Sequence, residues 1–280
     1  MEKYYIGIDG GGSKTHAILT DHSGKIIAES FSGPANINSD LNLAFSSISV
    51  AINELILPRK ISPQEIYLGV GVAGYSAIEK RKSLLNLLNN FKHVKLKSDC
   101  HIACLAAHEN KDGAIVICGT GVVAYFIQNR KSTQIGGWGF PHGDLGGGAW
   151  IGLEACKLVC KAIDKEILWS ALLLDIYESF DSDSNKYKNW LINAKPNNFA
   201  EIAKFVIKNI NIDPLAENIY LQGLNEVNSF IKAIVEQTSG LPIKLMGGLA
   251  KLYIDKLAHE FNNVSLSEKK PVFGALYLFK

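Results

Sequence analysis

Three consecutive glycines, Gly10-Gly11-Gly12, stand between two apolar runs of strand length near the start of the chain, and no other stretch limits the fold so narrowly. The segment Tyr4 to Thr20 predicts a strand, a tight turn and a second strand. Phosphate oxygens need backbone N–H groups converging in a concave turn with no Cβ in the way. Gly10, Gly11 and Gly12 supply such a turn, and Ser13 and Thr15 add hydroxyl donors at its edge. Asp9 closes the first strand, where a carboxylate suits a magnesium ion held through water. A plain glycine-rich hairpin has the same outline, so the turn alone leaves both readings open.

The likeness to a P-loop is partial. That motif has Gly directly before Lys-Ser/Thr and a helix after it; here Ser13 precedes Lys14, and His16 to Thr20 has the character of a strand. Asp21 to Gly24 reads as a turn and Lys25 to Phe31 as a third strand, so the chain opens with a three-stranded meander. At 280 residues it has room for about two domains. The net charge is +2, with 29 basic and 27 acidic residues interspersed, which gives no reason to expect a nucleic-acid partner. No apolar run reaches the ~18 residues of a membrane span, and Met1-Glu2-Lys3 leads straight into a strand, so the expectation is a cytoplasmic protein with no membrane partner. Cys100/Cys104 and Cys156/Cys160 each stand one helical turn apart, a metal-ligand spacing that buried small thiols explain more commonly.

Further along, Ser32 to Asn36 is a turn, and Ser39 is placed to cap a helix reaching about Leu57, with Leu41, Phe45, Ile48, Ile52 and Leu55 on one face. Asn36 offers a ligand amide there, although turn chemistry alone also favours Asn. Ile66 to Gly74 predicts a buried strand, followed by a helix from Ser76 to Asn90 and a strand from His93 to Lys97. Gly69, Gly71 and Gly74 match GxGxxG, and Asp99 follows the next strand as in a dinucleotide-binding unit. Against that, the glycines fall partly inside the strand, and the Asp9 turn is left unexplained.

The plan of the opening then recurs. Ala114 to Ile127 reads as strand, glycine-hydroxyl turn (Gly119, Thr120, Gly121) and strand; a polar turn over Gln128 to Ser132 and a short strand over Thr133 to Gly136 follow. A duplicated meander implies two similar domains, each offering a phosphate turn to a shared cleft. Between Trp138 and Trp150 lies a glycine-rich loop whose backbone gains little from burial and loses much entropy, which fits close packing over a ligand. The rest of the chain is mainly helical: Ala149 to Ile163, Lys165 to Phe180, Asn198 to Ile210 and Pro214 to Thr238. Asp181 to Lys186 reads as a polar loop, Trp169 and Trp190 as core or dimer contacts, and Leu241 to Met246 as a last buried strand before a helix ending at Phe261.

These motifs, in this order, resemble the actin-like sugar-kinase and ATPase superfamily, and within it the N-acetylglucosamine and glucosamine kinases. Ile8 to Thr15 is similar to that family's first phosphate motif, Cys118 to Gly121 to its second, and Leu245 to Ala250 to its adenosine motif, with Gly247 and Gly248 open to the nucleoside. The resemblance implies an α/β fold of two actin-like (ribonuclease H-like) domains, each with the strand meander, around a central ATP and sugar cleft. The division is 1–108 plus 270–280, and 109–269. It implies ATP bound by Gly10, Gly11, Gly12, Ser13, Lys14, Thr15, Gly119, Thr120, Gly121, Gly247 and Gly248, with magnesium at Asp9. Asp99 matches the base that accepts the sugar hydroxyl proton; without that context it reads as a helix cap, and a helix N-terminus is expected to keep it ionised. Asn36, Gly74, Trp138, Gly139 and Asp144 match the family's sugar contacts. Leu145 and Gly147 replace the usual acid and Ser of the sugar loop, which leaves N-acetylglucosamine and glucosamine unseparated. His142 reads as a solvent-facing loop residue, with substrate contact the alternative. The expected activity is phosphorylation of an amino-sugar 6-hydroxyl, by a chain that allows for a homodimer. The alternatives are an ATPase that activates a dehydratase through a cluster held by cysteines such as Cys118 and Cys156, and a sugar sensor without catalysis.

Overall fold

The computed structural model describes residues 3–280, which form two compact units. One comprises the residues up to Gly113 with Phe126–Ser132 and Glu268–Lys280; the other comprises Ala114–Tyr125 and Thr133–Ser267.

The first unit is built on β1 (Tyr4–Gly10), β2 (Thr15–Thr20), β3 (Ile26–Ser32), β4 (Ile66–Val72) and β5 (His93–Ser98), in the spatial order β3-β2-β1-β4-β5. The first three strands are an antiparallel meander, and β4 and β5 run parallel to β1. The helices α1 (Leu41–Ile56), α2 (Ile78–Leu87) and α3 (Asp99–Ala107) connect and cover them. α1 buries Ala44, Ile48, Ala51, Ile52, Leu55 and Ile56 in one core with Ile6, Ile8, Leu68 and Val70 of the sheet. Each large aliphatic side chain so buried contributes ~1.5–3 kcal/mol. α1 begins one residue later than Ser39 implies: Asp40 is the cap, accepting the Leu43 N–H at 2.9 Å. Leu41–Arg59 is long and apolar enough to cross a membrane, and its inner face is spent on this core.

The GxGxxG run belongs to packing. A Cβ on Gly69 would stand 2.1 Å from the Ala275 carbonyl oxygen of the closing helix Val272–Tyr277, and one on Gly71 2.2 Å from Ile102 of α3. Gly74 has φ +75° and lies against Asn36. All three glycines admit neighbouring chain, and none opens a pyrophosphate cradle.

The second sheet consists of β6 (Gly113–Cys118), β7 (Val122–Gln128), β8 (Lys131–Gly136), β9 (Ile243–Met246) and β10 (Val264–Leu266), in the order β10-β9-β6-β7-β8. Read from β8, that order reproduces the first sheet from β3, so the duplication expected from sequence is present strand for strand. β9 is parallel to both β6 and β10.

Six helices fill the interval after the meander: α4 (Gly148–Ile163), α5 (Ala171–Glu178), α6 (Ser184–Asn193), α7 (Pro196–Asn209), α8 (Pro214–Gln237) and α9 (Ala250–Glu260). Two expectations are corrected here. The helix expected over Lys165 to Phe180 is confined to α5, because Lys165 takes a left-handed φ of +63° and Ser170 starts a new cap. The polar run Asp181 to Lys186 is a turn as expected only as far as Asp183, which caps α6 from Ser184 by accepting the N–H groups of Asn185 and Lys186. A string of polar residues there is a capping signal, read from sequence as a loop. Trp190 packs on Phe180 and Phe199 at ring separations of 5.1 and 5.3 Å, and Trp169 stacks on Tyr177.

Candidate active site

In the first unit the glycine turn closes through the Gly11 N–H and the Lys14 carbonyl at 3.0 Å. Its neighbours hold it: Ala73 N–H donates to the Gly10 carbonyl and Ala35 N–H to that of Gly11, each at 2.8 Å. Gly10 is required by packing, since a Cβ there would lie 2.9 Å from Ala35. Gly12, Ser13 and Lys14 are exposed, with nothing within 4 Å of the position a Gly12 side chain would take. Thr15 departs from expectation. It is fully buried and its hydroxyl donates to the Gly33 carbonyl at 2.8 Å, so it anchors the turn and has no donor left for phosphate.

Two carboxylates stand beside this turn. Gly10, Val72 and Ser98 form one row across β1, β4 and β5. Asp9 therefore lies one residue before that row on β1 and Asp99 one residue after it, following β5, on strands about 10 Å apart at normal strand spacing. Burial pushes the Asp9 pKa up to about 6; the nearby Asp99 charge adds to the rise and Lys14 opposes it. Asp99 is the first residue of α3, and the cap is Ser98, which accepts the His101 N–H at 3.1 Å. Asp99 accepts the Cys100 N–H at 2.8 Å, yet burial still raises its pKa. The helix terminus therefore does not bring its pKa below the ordinary carboxylate value, because desolvation outweighs the donated hydrogen bond. His101, two residues on, is driven to about 4 by burial and by Lys97, and stays neutral at pH 7.

Asn36 and Gly74 come together as expected. Asn36 bridges Ala73, and a Cβ on Gly74 would be 2.4 Å from its Oδ1. That oxygen accepts the N–H groups of Asn38 and Ser39 at 3.0 and 3.2 Å. Turn chemistry takes the acceptor, and the Nδ2 donors are what Asn36 can offer a ligand. Lys80, which the sequence reading passed over, donates from its ammonium to the Asn38 carbonyl at 2.5 Å. No local spacing signals a contact formed across so much chain.

In the second unit, the Gly119–Thr120–Gly121 turn is fastened to the start of α4: Gly148 and Ala149 N–H groups donate to the Gly119 and Thr120 carbonyls at 2.8 and 2.9 Å. Gly119 is open, and the Thr120 hydroxyl reaches Asn197 at 3.4 Å. Asp144, the acid of the glycine-rich loop, also lies on this turn. A Cβ on Gly121 would stand 2.5 Å from the Asp144 carboxyl, which accepts the Val122 N–H while burial raises its pKa. Asp144 holds φ +61°, a left-handed conformation that is strained for a residue with a side chain. Gly147 is equally constrained: a Cβ would come within 2.7 Å of Gly121 Cα and the Thr120 carbonyl. Its lack of a side chain is thus a fit of loop to turn, where sequence comparison suggested a lost polar contact. Trp138 is 87% exposed and Gly139 is open around its Cβ position, so both are accessible. Gly247 has φ +92° and would meet the Cys118 carbonyl at 2.3 Å, whereas Gly248 is exposed and unobstructed.

A cavity of about 320 Å³ lies at the other end of β1 and β2 from the glycine turn, bordered by Tyr5, Thr20, His22, Phe273, Tyr277 and Phe279. Among the described residues, no group of three or more His, Cys, Asp or Glu side chains is arranged to hold a metal ion. All five cysteines are free.

A repeated five-strand sheet with a glycine turn after its first strand, half-buried carboxylates beside one turn and a glycine pair after β9 define the actin-like ATPase class. Within it the chain belongs to the BadF/BadG/BcrA/BcrD ATPase family, which it matches over residues 6–278. It is 29% identical to a glucosamine kinase of Vibrio cholerae over 91% of this chain and 88% of that protein. It is 31% identical to an N-acetylmuramic acid/N-acetylglucosamine kinase of Clostridium acetobutylicum, over 85% and 81% respectively. Among solved structures, a Chromobacterium violaceum protein for which N-acetylglucosamine kinase activity is proposed superposes with a TM-score of 0.92, at 25% identity over 99% of both chains.

Proposed function

We propose that this protein is an ATP-dependent kinase that transfers the γ-phosphoryl group to the 6-hydroxyl of N-acetyl-D-glucosamine or D-glucosamine. The observation that carries the reading is the pair of half-buried, mutually interacting carboxylates, Asp9 and Asp99, beside an open glycine turn. The kinase names of the relatives support it.

In phosphoryl transfer the protein positions the reactants and neutralises charge, while a carboxylate orients the attacking hydroxyl. Asp99 is the base in this reading, and its raised pKa brings it closer to the working pH of proton transfer. The N–H groups of Gly12 and Ser13 and the Lys14 ammonium are the ligands of one part of the phosphate chain, on a turn closed by the Gly11 N–H. The N–H groups of Thr120 and Gly121 serve the other, on a turn closed by the Gly119 N–H, and Gly247 and Gly248 face the nucleoside. Asn36, Gly74, Trp138, Gly139 and Asp144 are the sugar contacts of this reading. A magnesium ion fits Asp9, because an all-oxygen donor and a carboxylate disfavoured by burial and a like charge are both relieved by a cation. When bound it would supply charge neutralisation at the phosphates. The functional domains of this reading are 1–108 with 270–280, and 109–269, in a cytoplasmic enzyme.

The dehydratase-activator alternative loses support from the thiols: Cys118 and Cys156 are at most 1% exposed, whereas a cluster shared between subunits needs cysteines at a surface. The test is ADP release with ATP and magnesium across glucose, glucosamine, N-acetylglucosamine, N-acetylmannosamine and no sugar. One hexosamine should raise turnover well above the sugar-free rate; a flat panel rejects the proposal. Asp99→Asn should lower kcat by at least ~100-fold while nucleotide binding, followed by calorimetry, stays within about threefold. Near-normal turnover in that variant would remove Asp99 from the role.

A further inference from the structure

We infer that Tyr253 is a positioning residue for Asp144: its buried hydroxyl fixes the peptide unit against which the Asp144 backbone is folded. The inference rests on the kinase reading, which makes Asp144 a sugar contact, and it lies wholly within the second unit. Tyr253 belongs to the first turn of α9, is fully buried, and donates to the Gly146 carbonyl at 2.8 Å across more than a hundred residues of chain. The Gly147 N–H, at the other end of that same peptide unit, donates to the Asp144 carbonyl at 3.0 Å. A peptide unit is planar, so a hydrogen bond at each end sets its orientation. The turn closed in this way holds Asp144 at φ +61° and Gly146 at φ +81°. The first of these is unfavourable for a residue with a side chain and persists only where the surroundings impose it. Rotation of the Gly146–Gly147 peptide would break the bond to the Asp144 carbonyl and release the carboxylate that lies against Gly121 and the Val122 N–H.

The surroundings are fitted to the hydroxyl. A Cβ on Gly223 of α8 would stand 2.7 Å from Tyr253 Oη, and one on Gly146 would stand 2.7 Å from the Gly223 carbonyl oxygen, so helix, loop and hydroxyl meet where neither glycine admits a side chain. The Tyr253 ring stacks on Tyr220 at 5.9 Å, and α9 is tied to the end of β6 by the Leu249 N–H on the Cys118 carbonyl at 2.9 Å. Burial raises the Tyr253 pKa, so the oxygen keeps its proton and remains a donor at neutral pH. Tyr220 supplies the contrast: its hydroxyl donates to the Leu252 carbonyl of α9 at 3.3 Å. Two stacked tyrosines thus share one packing environment, and Tyr253 holds the loop.

The experiment compares Tyr253→Phe, which keeps the ring and removes the donor, with Tyr220→Phe as the control for lost stability; both are first melted to confirm that they fold. Hydrogen exchange in peptides spanning Asp144 to Ala149 should be at least about threefold faster in Tyr253→Phe than in wild type or Tyr220→Phe. With the sugar that wild type turns over best, the KM for sugar should rise roughly fivefold in Tyr253→Phe while the KM for ATP stays within about twofold, and Tyr220→Phe should leave both within about twofold. Unchanged exchange in Tyr253→Phe overturns the inference, because the loop then does not need the hydroxyl. Faster exchange with an unmoved sugar KM, a parallel rise in both KM values, or an equal rise of the sugar KM in Tyr220→Phe also overturns it, since each reduces Tyr253 to packing. In all of these cases the kinase reading stands. A wild-type protein that phosphorylates no sugar overturns the kinase reading itself, and the sugar-positioning role of Tyr253 with it.

Discussion

Asp9 shows how one side chain links stability to function. Its folded-state pKa of about 6 lies above the ordinary aspartate value of 3.8, so between those values the folded chain keeps a proton that the unfolded chain releases. Stability is then highest at the acid end of the window and falls as pH rises through it, by about 2–3 kcal/mol for this group. Asp99 is raised too and acts in the same direction. Denaturant unfolding without ligands, from pH 4.5 to 7.5, should show this decline in wild type and a smaller one in Asp9→Asn; parallel curves would refute it. Magnesium nucleotide should restore the lost stability most strongly above pH 6, where Asp9 is ionised. The residue identities of this site were legible because carboxylates and glycines advertise chemistry in the sequence. Their engagements were not. Nothing local shows that Thr15 donates to Gly33 or that Asp144 lies on Gly121, since both depend on chain brought in from elsewhere.

At the level of elements, glycines of the same composition have opposite duties. Gly69 lies mid-strand in β4 and lets the closing helix approach until a Cβ would be 2.1 Å from the Ala275 carbonyl oxygen. That contact is to backbone, which cannot swing aside, so Gly69→Ala should destabilise by about 2 kcal/mol or more. Gly12 has nothing within 4 Å, so Gly12→Ala should leave unfolding within ~0.5 kcal/mol of wild type and instead raise the KM for ATP by narrowing the turn. Chemical denaturation and nucleotide kinetics on the two variants separate the roles; a stable Gly69→Ala would contradict the packing account. The meander and its duplication could be read because apolar runs broken by glycine turns repeat in sequence; the full strand order could not. The helix boundaries of the second unit were less legible. There, caps such as Asp183 and Ser170 compete with loop readings, and β10 has only three residues in which to show a strand pattern.

Across the molecule, the five thiols test whether the chain's cysteines are packing material or chemistry. Cys100, Cys104, Cys118 and Cys156 are buried in both units, and only Cys160 is partly exposed. Burial pushes Cys104, Cys118 and Cys156 to about 12, so these thiols stay protonated at neutral pH and are poor nucleophiles. Cys160 is raised as well, though its exposure still admits a reagent. Treatment of the native protein with a maleimide should therefore label one cysteine on a timescale of minutes, mapped by peptide mass spectrometry to Cys160. The other four should react only as fast as each unit opens, because a labelling reagent needs the surrounding core displaced. Added denaturant should release them in two groups, Cys100 and Cys104 with the first unit, Cys118 and Cys156 with the second, if the units unfold separately, and together if they unfold as one. Rapid native labelling of Cys118 or Cys156 would contradict their burial and return the cluster-bearing ATPase to consideration.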